Sequence, residues 1–176
     1  MPTRFVGILF VAALTVRSIM DKFPITQRGF AAMEIELKHL KTVERPNVIK
    51  AIAEARAHGD LSENAEYDAA REKQSFIEGR ILELAARISG AEVIDVAAMS
   101  GDQVKFGATV VLLDEDTEEK VTYQIVGEYE ADLKKFMLSN TAPLSRALMG
   151  KKKGDSVEVH TPKGTRIYEI VQVAFK

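Results

Sequence analysis

The chain has 176 residues, no cysteine, 46% apolar and 28% charged residues, and a net charge of −2. The missing cysteine excludes a disulfide scaffold, a thiolate nucleophile and a zinc ribbon. The near-neutral charge excludes a global basic field of the kind that binds nucleic acid unaided. The length suits one large domain or two small ones.

Residues 1–19 differ in character from the rest of the chain. Arg4 precedes an apolar run from Phe5 to Val16, too short to span a bilayer and close to a signal-peptide core in length. The small-residue cleavage pattern is poor, and Arg17 sits where the site should fall. Met20 then opens a natural start. The segment reads as an upstream extension of a cytoplasmic protein, floppy or loosely helical.

Thr26 is placed to cap a helix reaching about His58. Its apolar residues, Phe30, Met33, Leu37 and Leu40, have the three-four spacing of a coiled-coil seam. Pro46 predicts a kink or a short break, after which Ile49, Ile52 and Ala55 resume the stripe. A second helix carries Tyr67, Ala70, Gln74, Ile77, Ile81, Leu84 and Ile88 in strict three-four alternation. Its other faces hold Glu72, Lys73, Glu78, Arg80, Glu83 and Arg87, placed for pairs within and across helices. The two helices form a solvated intramolecular hairpin, residues 20–97, on a chain expected to be monomeric.

Between the helices lies Gly59-Asp60-Leu61-Ser62-Glu63-Asn64-Ala65-Glu66-Tyr67. Gly59 can end a helix in the left-handed conformation, and Asp60 with Glu63 three residues on can form a capping box. The same spacing lets both carboxylates face one hard cation, an incomplete cage for Mg²⁺ that a partner would have to complete. Sequence alone leaves both readings open. Arg56 and Arg71 flank the tip and either pair with arm carboxylates or steer the tip toward RNA. Tyr67 and Asn64 complete the set of candidate contacts. His58 suits a helix C-terminus by its charge, and Lys151-Lys152-Lys153 reads as a solvated turn. Phosphate loops, Ser/His/Asp arrangements and histidine metal motifs are absent from the sequence.

Residues 98–176 change period. Ala108–Leu113 and Val121–Gly127 read as strands around an acidic loop, Asp114–Glu119. Phe136–Ser139 reads as a short strand. A short helix from Pro143 to Met149 is expected to be capped by Asn140 or Thr141. Ser156–Thr161 and Thr165–Ala174 form a closing hairpin. The fold class is α+β, a helical hairpin followed by a small, mainly antiparallel sheet.

The run Ala53-Glu54-Ala55-Arg56-Ala57-His58-Gly59-Asp60-Leu61-Ser62-Glu63-Asn64-Ala65-Glu66-Tyr67 resembles the tip of the bacterial transcript cleavage factors, the Gre family, of the GreA type. Pro143-Leu144-Ser145-Arg146-Ala147-Leu148-Met149-Gly150-Lys151 resembles its C-terminal signature, and Phe106-Gly107-Ala108-Thr109-Val110 matches at the domain junction. The resemblance covers about residues 20–174. It implies an antiparallel coiled coil, residues 20–97, and an FKBP-like docking domain, residues 98–176. The implied partners are RNA polymerase and the nascent RNA 3′ end, with no membrane. The implied role is to stimulate the polymerase's own RNA cleavage in backtracked complexes without being an enzyme itself. Asp60 and Glu63 match the family's tip acids, which share Mg²⁺ with polymerase; no cofactor is expected on the chain alone. Two rivals are a channel-entering factor that inhibits without cleavage and a peptidyl-prolyl isomerase. Both tip acids speak against the first, and the scarcity of clustered aromatics against the second.

Overall fold

The computed structural model describes residues 22–57, 65–161 and 164–176; residues 1–19 and the tip residues His58 to Asn64 lie outside them. The first strand, β1 (Phe23–Thr26), leads into α1 (Gln27–His39), a widened turn (Leu40–Glu44), α2 (Arg45–Ala57) and α3 (Ala65–Gly90). Thr26 caps α1 as its sequence context predicts: its hydroxyl accepts from Gly29 N–H at 3.0 Å. After α3, β2 (Ala91–Ile94) lies parallel to β1, pairing Phe23 with Ala91 through Thr26 with Ile94. Sequence reading missed this small ladder, because four residues with a proline give no strand periodicity.

Pro46 does not break the helix. Proline would clash with the carbonyl four residues back and cannot donate to it. The backbone answers by widening, so that Arg45 N–H reaches Leu40 C=O, five residues back. A π-type turn holds one extra residue. The buried stripe therefore steps from Leu40 to Val48 rather than to a residue seven further on. Val48 is 2% exposed and Ile49 is 52% exposed, which corrects the expectation that Ile49 belongs to the seam. Ile52 and Ala55 are buried as expected.

Two apolar clusters hold the hairpin. Val48, Ile52, Ile77 and Ile81 form the outer one, with Tyr67 and Ala70 against it. Ile25, Met33 and Leu84 form the inner one at the root, with Phe23, Phe30, Ile88 and Ala91. Ion pairs cross between the helices at the rim. Arg80 Nε and Nη2 meet the Glu36 carboxylate at 2.7 and 3.0 Å. Arg45 Nε donates to Glu78 at 2.7 Å, and Lys73 lies 3.0 Å from Glu44. Hydrogen bonds from Arg45, Arg80 and Lys73 hold Glu78, Glu83 and Glu44 below the ordinary carboxylate value of 4.5.

These depressed values set the sign of the arm's acid response. Each carboxylate stabilises the folded arm fully above about pH 4.5, its unfolded value, and loses that contribution as pH falls through the folded value. Helix content followed by circular dichroism should melt at a lower temperature at pH 3 than at pH 6. The difference should shrink in high salt, since the pairs are largely solvent-exposed.

The second half is a five-stranded sheet in the order β5-β4-β3-β7-β6. Its strands are β3 (Thr109–Asp114), β4 (Lys120–Val126), β5 (Met137–Ser139), β6 (Ser156–Thr161) and β7 (Gly164–Ala174). All pairings are antiparallel except β4 with β5. Alternation puts Val110, Leu112, Ile125, Val157, Val159 and Ile170 on one face, where α4 (Pro143–Leu148) adds Leu148. The α4 N-cap is Ala142, with no side-chain bond, and not Asn140 or Thr141; proline at the first position already lacks the donor a cap would satisfy. Asp114 is more than a loop acid. It is 4% exposed and accepts from Asp116 N–H at 3.0 Å and from Arg166 at 2.9 Å.

Gly107 sits just before β3 with φ of +82°, and an added Cβ would lie 2.3 Å from a Val96 methyl carbon. Gly107→Ala combines left-handed strain with overpacking, each costing about 1–3 kcal/mol. The urea midpoint of the sheet half should fall accordingly.

The two halves meet through a short turn, Glu128–Glu130. Tyr129 lies edge-on to Phe23 of β1, with ring centroids 4.8 Å apart. The Arg87 guanidinium of α3 lies 3.8 Å from the centre of the same ring. The Glu130 carboxylate accepts from Thr26 N–H at 2.9 Å and from the Thr26 hydroxyl.

Candidate functional site

The candidate site is the far end of the hairpin, where α2 stops at Ala57 and α3 starts at Ala65. Asp60, Glu63 and Asn64 belong to the seven residues joining them and lie outside the described residues. The structure does place Arg56, Tyr67 and Arg71, and it brings them together. Arg56 is in the last turn of α2; Tyr67 and Arg71 are one turn apart on α3, so all three share one edge of the hairpin.

Tyr67 is half-buried against the outer apolar cluster. Its hydroxyl lies 3.5 Å from Arg56 Nη2. The guanidinium carbons of Arg56 and Arg71 lie 5.7 and 6.0 Å from its ring centre, within cation–π range. The Arg56 hydrogen bond, then the charges of Arg56 and Arg71, pull the phenol below its ordinary value of 10.0. Tyr67 thus packs on the apolar cluster and also carries two guanidinium groups against its ring and hydroxyl. Beside it, Ile49, Ile52, Ala53, Arg56, Arg71 and Gln74 line an open depression of about 430 Å³. Its apolar floor and two planar cations suit a phosphate paired to guanidinium beside a stacked base.

Arg56 and Arg71 give the tip a local positive edge on a chain whose net charge is −2. The joining segment between them adds Asp60 and Glu63. By the 1.5 Å rise per residue, α3 is about 40 Å long, so Arg56, Tyr67 and Arg71 stand far from the sheet half of the molecule. Sequence reading missed Tyr129 and Glu130 at the other end of the arm, and it placed Arg87 only among the charges that pair along and across the helices, not against Tyr129. Gly127 read as the end of a strand, and Glu128-Tyr129-Glu130 after it carries no periodicity and received no assignment.

Comparison with known proteins separates the same two halves. The family model described as transcription elongation factor, N-terminal, matches residues 23–93, and the one described as transcription elongation factor, GreA/GreB, C-term, matches residues 99–175. The chain belongs to the GreA/GreB family of transcription elongation factors. A relative from Cereibacter sphaeroides, "Transcription elongation factor GreA", is 67% identical over 156 residues, which is 89% of this chain and 99% of that protein. The protein of the same name from Rickettsia canadensis is 62% identical over 155 residues, covering 88% of this chain and 96% of that one. The solved structure of the GreA factor homolog Gfh1 from Thermus thermophilus is 25% identical and covers 87% of this chain and 99% of its own, with a TM-score of 0.40. The family match agrees with the α+β order of a helical hairpin and a mostly antiparallel sheet. Among the described residues no helix is long and apolar enough to cross a membrane.

Proposed function

We propose that this protein is a cytoplasmic transcription elongation factor that rescues backtracked RNA polymerase. In this reading the sheet domain, residues 98–176, docks on polymerase, and the arm, residues 20–97, enters its secondary channel as a monomer. Relatives named transcription elongation factor GreA, 62% and 67% identical and matched over 96% and 99% of their own length, support it, and the single observation that carries it is the Arg56–Tyr67–Arg71 cluster at the described end of the hairpin, beside a joining segment whose sequence supplies Asp60 and Glu63. The chain cleaves nothing alone; it stimulates the polymerase's intrinsic cleavage of the nascent RNA 3′ end.

The donor set fits the chemistry. Asp60 and Glu63 offer hard oxygen ligands, too few for a resident ion but enough to help complete a Mg²⁺ site that polymerase and the RNA phosphate also contribute to. Such an ion supplies charge neutralisation at the phosphodiester and a more acidic water. Asp60 is the metal ligand and Glu63 orients metal or water. Arg56 and Arg71 hold the RNA phosphates, with Tyr67 and Asn64 positioning the end of the transcript. No observation favours the inhibitory factor or the prolyl isomerase.

The deciding experiment adds the purified protein to stalled, backtracked elongation complexes. Release of short 3′ RNA fragments, absent when naked RNA is incubated with the protein, is the expected result. Unchanged transcripts with polymerase bound would favour the inhibitory role instead. A chain beginning at Met20 should stimulate cleavage as the full chain does, because nothing proposed for the arm or the docking domain uses residues 1–19.

A further inference from the structure

We propose that Glu130 is a positioning residue for stimulated cleavage, acting from the root of the arm by fixing the arm's direction on the docking domain. This rests on the reading above, in which the tip works inside polymerase. The Glu130 carboxylate takes three donors: Thr26 N–H at 2.9 Å, the Thr26 hydroxyl, and Gly127 N–H at 3.2 Å. Thr26 is itself the N-cap of α1, and its hydroxyl accepts from Gly29 N–H. One carboxylate of the docking half therefore continues the cap of the arm's first helix.

Two glycines make room for it. A Cβ on Gly29 would fall 2.1 Å from Glu130 Oε1, and a Cβ on Gly127 would fall 2.5 Å from Pro24 C=O. Glycine is a poor residue inside a helix; at Gly29 the missing side chain is what lets the carboxylate approach α1. One turn residue away, Tyr129 is held by Phe23 of β1 and Arg87 of α3. The turn thus grips the arm at both helices. A single contact would leave a pivot, whereas two contacts on different helices fix a rotation.

Lever geometry turns this grip into a catalytic effect. With α3 about 40 Å long, a swing of about 10° at the root moves the tip by roughly 7 Å. A misplacement of about 1 Å in a reacting constellation can cost on the order of a hundredfold in rate. Affinity for polymerase, set by the docking domain, need not change.

The chain has no cysteine, so Glu72→Cys on α3 and Glu158→Cys on β6 can carry spin labels that report the arm-to-domain distance. Glu130→Ala and Gly29→Ala should broaden that distribution without loss of helix content. Both should lower the cleavage rate at saturating factor by about tenfold or more, with little change in the factor concentration giving half the effect. Helix propensity alone predicts that Gly29→Ala improves the arm, so its loss of cleavage separates positioning from stability. Glu130→Gln, which keeps one acceptor oxygen for Thr26, should fall between. A narrow distribution in Glu130→Ala, or a broad one with full cleavage, overturns the proposal. A wild-type chain that fails to stimulate cleavage overturns the functional reading instead, while the distance distribution still decides whether Glu130 holds the arm.

Discussion

Asp60→Asn should lower stimulated cleavage at least tenfold while leaving polymerase binding nearly unchanged. Asparagine keeps the size of aspartate and is an equally good N-cap, so a residue serving only to start a helix would tolerate the change. As a metal ligand it would not, because the amide lacks the charge that holds a hard cation. Each loss of about 1.4 kcal/mol of transition-state stabilisation is a factor of ten in rate. Higher Mg²⁺ should restore part of the activity, since concentration offsets weakened affinity. The measurement is fragment release from backtracked complexes, with binding followed by competition against the unaltered chain. Cleavage at the unaltered rate would leave Asp60 as a cap and no more.

The second large effect is expected at the root. Leu84 is fully buried beside Ile25 and Met33. Leu84→Asp puts a carboxylate into that cluster, where ionisation or an unpaired polar group costs several kcal/mol. That is a large share of the roughly 5–15 kcal/mol that holds a typical domain together. Leu82 provides the control: it is two residues earlier on the same helix and 71% exposed, so Leu82→Asp should change stability by no more than about 0.5 kcal/mol. Limited proteolysis should cut the Leu84→Asp arm readily and the Leu82→Asp arm no faster than before. The sheet should survive, because Leu112, Ile125, Leu148 and Ile170 form a core of their own. Equal resistance of the two variants would refute the packing described for the root.

How much of the molecule is legible in its sequence depends on how local each signal is. The α3 stripe from Tyr67 to Ile88 is buried or half-buried throughout, because seven apolar or neutral positions at regular spacing leave one choice of face. The Thr26 cap is local too. Val48 could not be read, since the spacing rule assumes an α-helical turn and Pro46 forces a wider one. The β1–β2 ladder and the grip of Glu130 on Thr26, 104 residues apart, have no local signature; they exist only once both halves are folded. At the site, residue types and spacing at Asp60 and Glu63 suggest chemistry before any geometry. The Arg56–Tyr67–Arg71 cluster required the two helices to be brought side by side.

The widened turn before Pro46 bears on how this arm tolerates insertions and deletions. Leu40 and Val48 are eight residues apart on one buried stripe, and the extra residue lies between them. Deleting Val43, which is exposed, would restore a seven-residue step but return Pro46 to an ordinary α-helical ladder, where its ring meets the Lys41 carbonyl, then four residues back. Replacing Pro46 alone would leave the surplus residue with nowhere to go. The proline and the extra residue therefore depend on each other: a straight version of this helix is reached by removing both together, and either single change leaves the hairpin strained or out of step with α3.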